Sequence, residues 1–576
     1  MNRRKFIKHN GHLMLLAPFA PNLLVPEAKS PAAHSRERSE KPDWLVRMIR
    51  KNDANLGNLL PRLVEDRDDP DVGGVLDANG MPSPHAATAF LKTGGCALVC
   101  PESVHYADEA LVEKMGHAAR FLLSLQHSDG TIDLLSTNFH STPDTGFIVK
   151  WLSPVWRLLG GSAVPGKDRI TQPLKQFLLQ AGEALKVGGI HTPNHRWVVC
   201  SALAELYKIK QDPAYLARAE RWLSEGIDMD ADGQYEEKSS YIYSSLSNRV
   251  LISTARGFDK PQLYEYVRRN LNMNFYYLHP NGEIVTEASG RQDNSIIGTL
   301  ENYYYPYRYM ALKDGNGQYA AACRLIEETA FEKTAGFLYY FLEDKSLWEE
   351  LPAAQALPSS YSKVFPNSNL ARVRRGSYDA SILAKSPVFF TFHKAGLALQ
   401  GVRFASAFFG KGQFVSESLT EGEQGFILSS YLKGPYYQPF PQEKIPGDGD
   451  WAKMPRSERP QSEVQELYSK VTVREEAQGF SVEISIDGTD RVPVALELIF
   501  RPGGTFVGTV PHETLEDTYY LKSGTGTYSH AGSAIRFGPG LHRHRWVQIR
   551  GALPKQDAPT VFLTGFTPFH HVLSLT

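Results

Sequence analysis

The sequence predicts a multidomain α and β protein: an N-terminal (α/α) toroid of helical hairpins followed by a C-terminal antiparallel β-sandwich domain. Three observations predict it. At 576 residues the chain exceeds what one ordinary hydrophobic core serves, so two or more domains are expected. Up to Trp348 apolar residues recur at helical spacing, whereas beyond Ala371 they alternate in short runs between Gly, Pro and Asp. Several helical runs also end in turns of one kind, a weak internal repeat.

Taken in order, residues 1–30 read as an export signal. Arg3-Arg4 followed by Lys5-Phe6-Ile7-Lys8 is twin-arginine-like, and Leu13 to Ala20 supplies a short apolar region. The expected destination is outside the cytoplasm, in a bacterial periplasm. No membrane span is expected, because no apolar run is long enough. The toroid is expected over residues 42–348. Ala107 to His127, Asp212 to Ile227 and Pro261 to Leu278 each place apolar residues along one face. They end in Ser128-Asp129-Gly130-Thr131, Ala231-Asp232-Gly233-Gln234 and Pro280-Asn281-Gly282-Glu283. Gly after Asp or Asn supplies the positive φ that stops a helix and redirects the chain. Residues 349–370, rich in Pro, Ser and Ala, read as a linker, and residues 371–576 as the sandwich.

Composition narrows the partners. Lys and Arg total 62 against 63 Asp and Glu, a net charge of −1, so there is no bulk basic field for nucleic acid. Aromatic residues at 11% suit a sugar cleft and β-rich cores alike. The four cysteines, Cys96, Cys100, Cys200 and Cys323, form no zinc pattern; one disulfide or buried free thiols are both open. Oligomeric state is not legible.

Four polar clusters fall in the loops of the helical half. One contains Asn138, His140 and Asp144. The second is Gly189-Ile190-His191-Thr192-Pro193-Asn194-His195-Arg196, where a loop becomes the apolar run from Trp197 to Lys208. The third runs from Gln234 through Tyr241 and Tyr243 to Arg249, and the fourth contains Glu287 and Arg291, with Tyr304 beyond. Taken alone, Asn194 reads as a helix cap with solvated neighbours. Together the clusters supply amide, imidazole, phenol and guanidinium groups that can grip an acidic sugar and move protons. β-Elimination next to a uronic acid needs that set. The carboxylate must be neutralised before the C5 proton becomes acidic, a base must take that proton, and an acid must protonate the departing O4.

The helical toroid followed by a β domain, with Asn194-His195 at a helix start and Asp232-Gly233-Gln234-Tyr235 leading to Tyr243, resembles the heparinase II/III-like polysaccharide lyases. The resemblance runs from about residue 45 to the end. It implies a lyase that cleaves the bond to C4 of a glucuronate-type uronic acid, leaving a 4,5-unsaturated product. It also implies Asn194, His195 and Tyr243 as catalytic residues. Asn138, His140, Tyr241, Arg249, Arg291 and Tyr304 are the expected substrate contacts, with Tyr241 a second candidate acid and His140 a second candidate base. Arg196 is the member of its cluster least expected to touch substrate.

Two other classes stay open: a toroid glycoside hydrolase using Asp144 with Glu236 or Glu237, and a non-catalytic periplasmic glycan-binding protein. The expected partner is an acidic oligo- or polysaccharide. No cofactor is required and no metal ligand is assigned, although a structural metal is compatible with the fold. Asp228, Asp230 and Asp232 imitate half of a calcium loop, but Ser239 stands where the bidentate acid belongs. His542 and His544 would share one side of a strand without a third ligand, and His570 and His571 would face opposite sides.

Overall fold

The computed structural model describes residues 40–576; the expected export signal lies outside them. The chain divides into two compact units. The first runs to Phe275 and resumes over Ser289–Leu357. Its helices are α1 (Asp43–Leu59), α2 (Pro84–Leu98), α3 (Glu109–Ser124), α4 (Thr142–Gly160), α5 (Asp168–Val187), α6 (Pro193–Tyr207), α7 (Pro213–Leu223), α8 (Tyr243–Phe258), α9 (Leu263–Asn274), α10 (Tyr304–Asp314), α11 (Gly317–Thr329) and α12 (Leu338–Glu343). A short hairpin, β1 (Ile132–Leu134) and β2 (Asn138–Ser141), precedes α4.

The local sequence explains several helix starts. Ser83-Pro84, Thr192-Pro193 and Asp212-Pro213 each put Pro at the first helical position, where its missing N–H costs nothing. Ser83, Asp108, Ser141, Asp212 and Asn316 accept backbone N–H groups of the turns they cap.

The helices form two layers. α2, α4, α6 and α8 follow one another as neighbours, α10 packs on α8, and α12 meets α1, α2 and α4, returning the end of the unit to its beginning. These inner helices are buried on nearly every face; α6 buries every residue from Arg196 to Leu206. The odd-numbered helices lie outside and are amphipathic; α7 buries only Tyr215 and Ala219. Close inner packing is bought with small residues. A Cβ on Gly95 would stand 2.3 Å from a Val155 methyl, and one on Gly257 2.7 Å from the Ala204 Cβ.

The expected Asp/Asn-Gly turns are present, and the structure adds a fourth. In Asp77–Met81, His127–Thr131, Asp230–Gln234 and His279–Glu283 the first N–H donates to the fifth carbonyl and the fourth N–H to the first. Their fourth residues, Gly80, Gly130, Gly233 and Gly282, have φ between +76° and +95°. An Asp or Asn side chain in each turn accepts a backbone N–H. In the first unit these turns come after an outer helix and lead to the start of an inner one.

The second unit takes Tyr276–Ala288 together with Pro358–Thr576. This corrects the expected boundaries twice. Residues 276–288, inside the stretch assigned to the toroid, belong to the second unit, and strands begin at Ser360 within the expected linker. The first strand is largely exposed, so its polar composition read as a linker.

The strands are β3 (Ser360–Phe365), β4 (Leu370–Arg375), β5 (Tyr378–Leu383), β6 (Phe390–Lys394), β7 (Leu397–Ser406), β8 (Leu419–Gly422), β9 (Gly425–Tyr437), β10 (Gln461–Glu476), β11 (Gly479–Gly488), β12 (Pro493–Phe500), β13 (Thr505–Val507), β14 (Val510–Pro511), β15 (Thr518–Tyr520), β16 (Gly526–His530), β17 (Ser533–Gly538), β18 (Thr560–Phe566) and β19 (Phe569–Leu575). One sheet has the order β14-β15-β18-β12-β7-β6-β5-β4-β3, the other β13-β16-β17-β19-β11-β10-β9-β8. Pairing is antiparallel except between β15 and β18. Inward residues of both sheets, among them Phe390, Leu399, Leu496, Val471, Ile484 and Leu573, share one core, as a sandwich requires. β19 alternates as expected, with His570 exposed and His571 buried.

The shared turn makes a differential prediction. Gly80→Ala pays only for its left-handed φ, because a Cβ there meets nothing within 4 Å; about 1 kcal/mol is expected. Gly130→Ala also drives a Cβ to 2.3 Å from the Gln180 carbonyl oxygen, and roughly 3 kcal/mol is expected. Urea midpoints of the two variants should separate clearly, and equal losses would show that contact with α5 is unimportant.

Candidate active site

The first turn of α6 is the centre of the site. Thr192, not Asn194, occupies the cap position, and its hydroxyl donates to the Asn194 side-chain oxygen at 2.8 Å. The Asn194 amide nitrogen and His195 Nδ1 are both buried without a hydrogen-bond partner among the described residues. Buried donors are normally satisfied, so two adjacent orphans mark a place built to receive something. Arg196 turns elsewhere. It pairs with Glu225 and Asp228, each at 3.0 Å, and its guanidinium lies 4.4 Å from the Trp197 ring. Arg196, the member of its cluster least expected to touch substrate, is thus engaged within the helical unit, and Asp228 has Arg196 as its partner.

His195 sits among rings and charges. The His191 ring is 5.0 Å away and Phe147 6.1 Å, both edge-on. Burial lowers its pKa to about 4, helped by His191 and Arg291 and opposed by Asp144. At neutral pH it is therefore an uncharged imidazole with an available lone pair. Asp144 lies in the first turn of α4, where it accepts from Asn138 at 3.0 Å and from Ser141. His85, in the first turn of α2, lies 3.7 Å from its other oxygen.

Tyr243 is the first residue of α8. Its hydroxyl accepts the Gln292 amide N–H at 2.6 Å, and the Arg291 guanidinium stands 5.2 Å from its ring centre. Arg291 also pairs with Glu237 at 3.3 Å. Arg291 thus connects Tyr243 to the electrostatic surroundings of His195. The starts of α2, α4, α6 and α8 meet here, so unpaired N–H groups and the positive ends of helix dipoles favour an anion.

The structure does not bring every expected residue to this place. Tyr241 is buried and donates to Glu301 at 2.6 Å, while its backbone N–H donates to Asp293. Burial, then Glu301, pushes its phenol far above the usual range. Tyr304 is buried against Trp44, Phe331 and Phe341 and donates to Glu327. Both read as site residues in the sequence because they lie beside polar residues, but Tyr241, in the turn before α8, is held inward by Asp293 and Glu301, and Tyr304, the first residue of α10, faces the core. His140 has φ +48°, bonds Asp129 at 2.7 Å and stacks on His127 at 3.8 Å. Arg249 is buried over Phe337 and donates to the Asn302 carbonyl.

His191 stood in the second cluster and Gln292 beside Arg291 in the fourth, neither with a role, and His85 was missed. Phe147, Lys150 and Trp151 were missed. Their signal was a lysine in the otherwise apolar run Gly146 to Leu152, at helical spacing from Asp144.

In the second unit, His279, Asp379 and His393 place potential ligand atoms within 4.8 Å of one another, all buried. Two imidazoles and a carboxylate suit zinc. The same atoms also form a closed ion network. Asp379 bonds both Arg372 and His279, and His279 lies 3.6 Å from Glu287. Burial opposes charge on His279, but Asp379 and Glu287 outweigh it and raise its pKa to about 9. His393, stacked on it at 3.7 Å, is lowered to about 3 by burial and by that neighbour. A metal would have to displace the His279 proton. His542 and His544 form no such group. His544 Nε2 lies within 3.1 Å of the Val494 and Gly565 carbonyl oxygens. All four cysteines are buried and free, and no described helix is long and apolar enough to cross a membrane.

No protein-family model matches the chain, and no curated relative matches it. Solved structures do. A xanthan lyase from Paenibacillus matches with a TM-score of 0.52 at 9% identity, covering 92% of this chain and 55% of that one. The chain therefore spans about half that lyase's length. The chondroitin AC lyase of Streptomyces coelicolor A3 matches with a TM-score of 0.50 at 13% identity, covering 94% and 78%. Heparinase III gives 0.49 at 12%, covering 94% and 85%. The chain has the fold of polysaccharide lyases: a ring of helical hairpins and an antiparallel sandwich. At these identities the likeness establishes the fold.

The burial of His195 is directly measurable. Its imidazole resonances should titrate near pH 4, above that in His191→Ala and below it in Asp144→Asn. A midpoint near the ordinary 6.5 would show that the ring is solvated.

Proposed function

We propose that the protein is a polysaccharide lyase that cleaves the bond to C4 of a glucuronate-type uronic acid by β-elimination. The observation that carries this reading is the pair of buried, unpartnered groups on Asn194 and His195 at a helix start, with Arg291 acting on His195 and lying over the Tyr243 ring. Asn194 supplies an amide N–H to the uronate carboxylate, so that charge developing on it in the enolate-like transition state is stabilised. Neutral His195 takes the C5 proton. The electron pair forms the C4–C5 double bond as the C4–O4 bond breaks, and O4 takes the Tyr243 proton.

Two features support these roles. Gln292 donates to the Tyr243 oxygen, which leaves the phenol's own hydrogen free for O4. The same N–H and the nearby Arg291 then stabilise the phenolate. A bound uronate also brings a negative charge near His195, raising its basicity from the low value it has in the empty site. Of the carboxylates a hydrolase would use, Asp144 accepts from Asn138 and Ser141, and Glu237 pairs with Arg291. The proposed substrate is an acidic glycan met outside the cytoplasm.

A panel of uronate glycans should yield ultraviolet absorbance from the unsaturated product, and silence across the panel would overturn the proposal. On the glycan that reacts, His195→Ala and Tyr243→Phe should each lower kcat by at least about a hundredfold while binding persists. The rate should fall as pH drops through about 4, where His195 becomes imidazolium and loses its lone pair. A binding protein would show affinity and no product.

A further inference from the structure

One face of α4 continues inward from the active site. After Asp144 come Phe147, Lys150 and Trp151, and Phe147 is the ring that also meets His195. Phe147 and Trp151 are half-buried, with ring centres 5.8 Å apart. Lys150 is only 4% exposed. Its ammonium lies 4.4 Å from the Trp151 ring centre and 5.3 Å from that of Phe147. Among the described residues it has neither a hydrogen bond nor a carboxylate within ion-pair reach.

Two more cations share this place. Lys92, on α2, lies over the same Trp151 ring at 5.5 Å and over Tyr339 at 5.8 Å, and bonds only the Gly336 carbonyl oxygen. Arg249, on α8, is also buried, with a ring and a carbonyl for partners. The one acid felt by Lys150, Glu205, is bound by Arg157 and Lys208. Burial first, then Arg249 and Lys92, drives the Lys150 pKa well below its usual value, and burial lowers Lys92 to about 8. Buried charges are normally paired, because an unpaired one costs several kcal/mol. Arg249 feels Glu301, which already accepts from Tyr241 and Thr299. Three cations drawn from three inner helices, none in an ion pair, lack an anion.

The geometry points to a subsite, made by Lys92, Lys150 and Arg249 over the Phe147–Trp151 platform, that takes a second anionic group of the glycan. This deepens the lyase proposal and rests on it for the identity of the ligand. The Phe147 and Trp151 faces suit the apolar face of a sugar ring, and the cations suit its carboxylate or sulfate. The substrate class then narrows to glycans charged at more than the uronate being cleaved.

The first test needs no turnover. In the full-length protein labelled with 13C-lysine, Lys150 and Lys92 signals, assigned from Lys150→Arg and Lys92→Arg, are followed as D-glucuronate or inorganic sulfate is added at fixed ionic strength. A saturable shift of both signals, with the Lys150 titration midpoint rising, is expected. Glucuronate and sulfate separate the two anion sources. No saturable shift with either, or the same shift with chloride, would overturn the subsite. The second test uses the glycan that yields unsaturated product. Lys150→Met should raise KM roughly tenfold with kcat little changed, and Lys150→Arg should retain most of the affinity. An unchanged KM would overturn the glycan role even if free anions bind. If no glycan reacts, the lyase reading fails by itself, while the anion titration still decides the subsite.

Discussion

The first turn of α6 is the constraint on which the helical unit depends, because it holds an amide and an imidazole inside the protein without giving them partners. Such groups cost about 1–3 kcal/mol each when left unsatisfied. Their neighbours therefore have to hold the turn. Pro193 fixes the backbone, Thr192 orients the Asn194 oxygen, and Arg196 ties the turn to Glu225 and Asp228. Three consecutive polar residues divide the work, two facing an open need and one anchoring.

The repeated five-residue turn is what makes such a centre possible. Each copy ends one segment with a positive-φ glycine and hands the chain to the next inner segment by the same pair of backbone bonds. In the helical unit the residues just before or within the first inner turns then collect together. Such turns precede α2, α4 and α8, which carry His85, Asp144 and Tyr243, whereas His195 arrives on α6 through the Thr192-Pro193 start without one. Two positions before Tyr243, Tyr241 falls outside that window and spends its hydroxyl on Glu301.

Legibility followed the same physics. Periodicity and the Gly-containing turns revealed the architecture, because both are local properties. The Asp77–Met81 turn was missed although its Asn79-Gly80 pair is the same Asn-Gly signature. The transfer of residues 276–288 to the second unit was hidden, since side-chain bonds to Tyr361, Arg372, Asp379 and Arg501 leave no local trace. At the site, Asn194, His195, Tyr243 and Arg291 could be found by chemical type. Which tyrosine faced inward could not be found that way, because Tyr241 and Tyr243 differ only in where α8 begins. Lys150 was legible in principle as a lone cation in an apolar helix, but a sequence does not say whether a carboxylate waits across the ring.

That last distinction separates two of the buried charge clusters among the described residues. In the second unit, Arg372 and protonated His279 face Asp379 and Glu287, and every charge has an opposite within its own network. Such a cluster consumes its own field and serves the fold. In the helical unit, Lys92, Lys150 and Arg249 face aromatic rings and backbone carbonyls instead. Aromatic faces offset only a part of a desolvated charge, about 2 kcal/mol at best. The remainder of that field is unspent, in a protein whose formal net charge is −1. A nearly neutral chain can therefore gather positive groups locally, where burial limits their screening by surface acids and salt. Under the proposed subsite, attraction for an anionic group is then confined to the Phe147–Trp151 face of α4 instead of being spread over the surface.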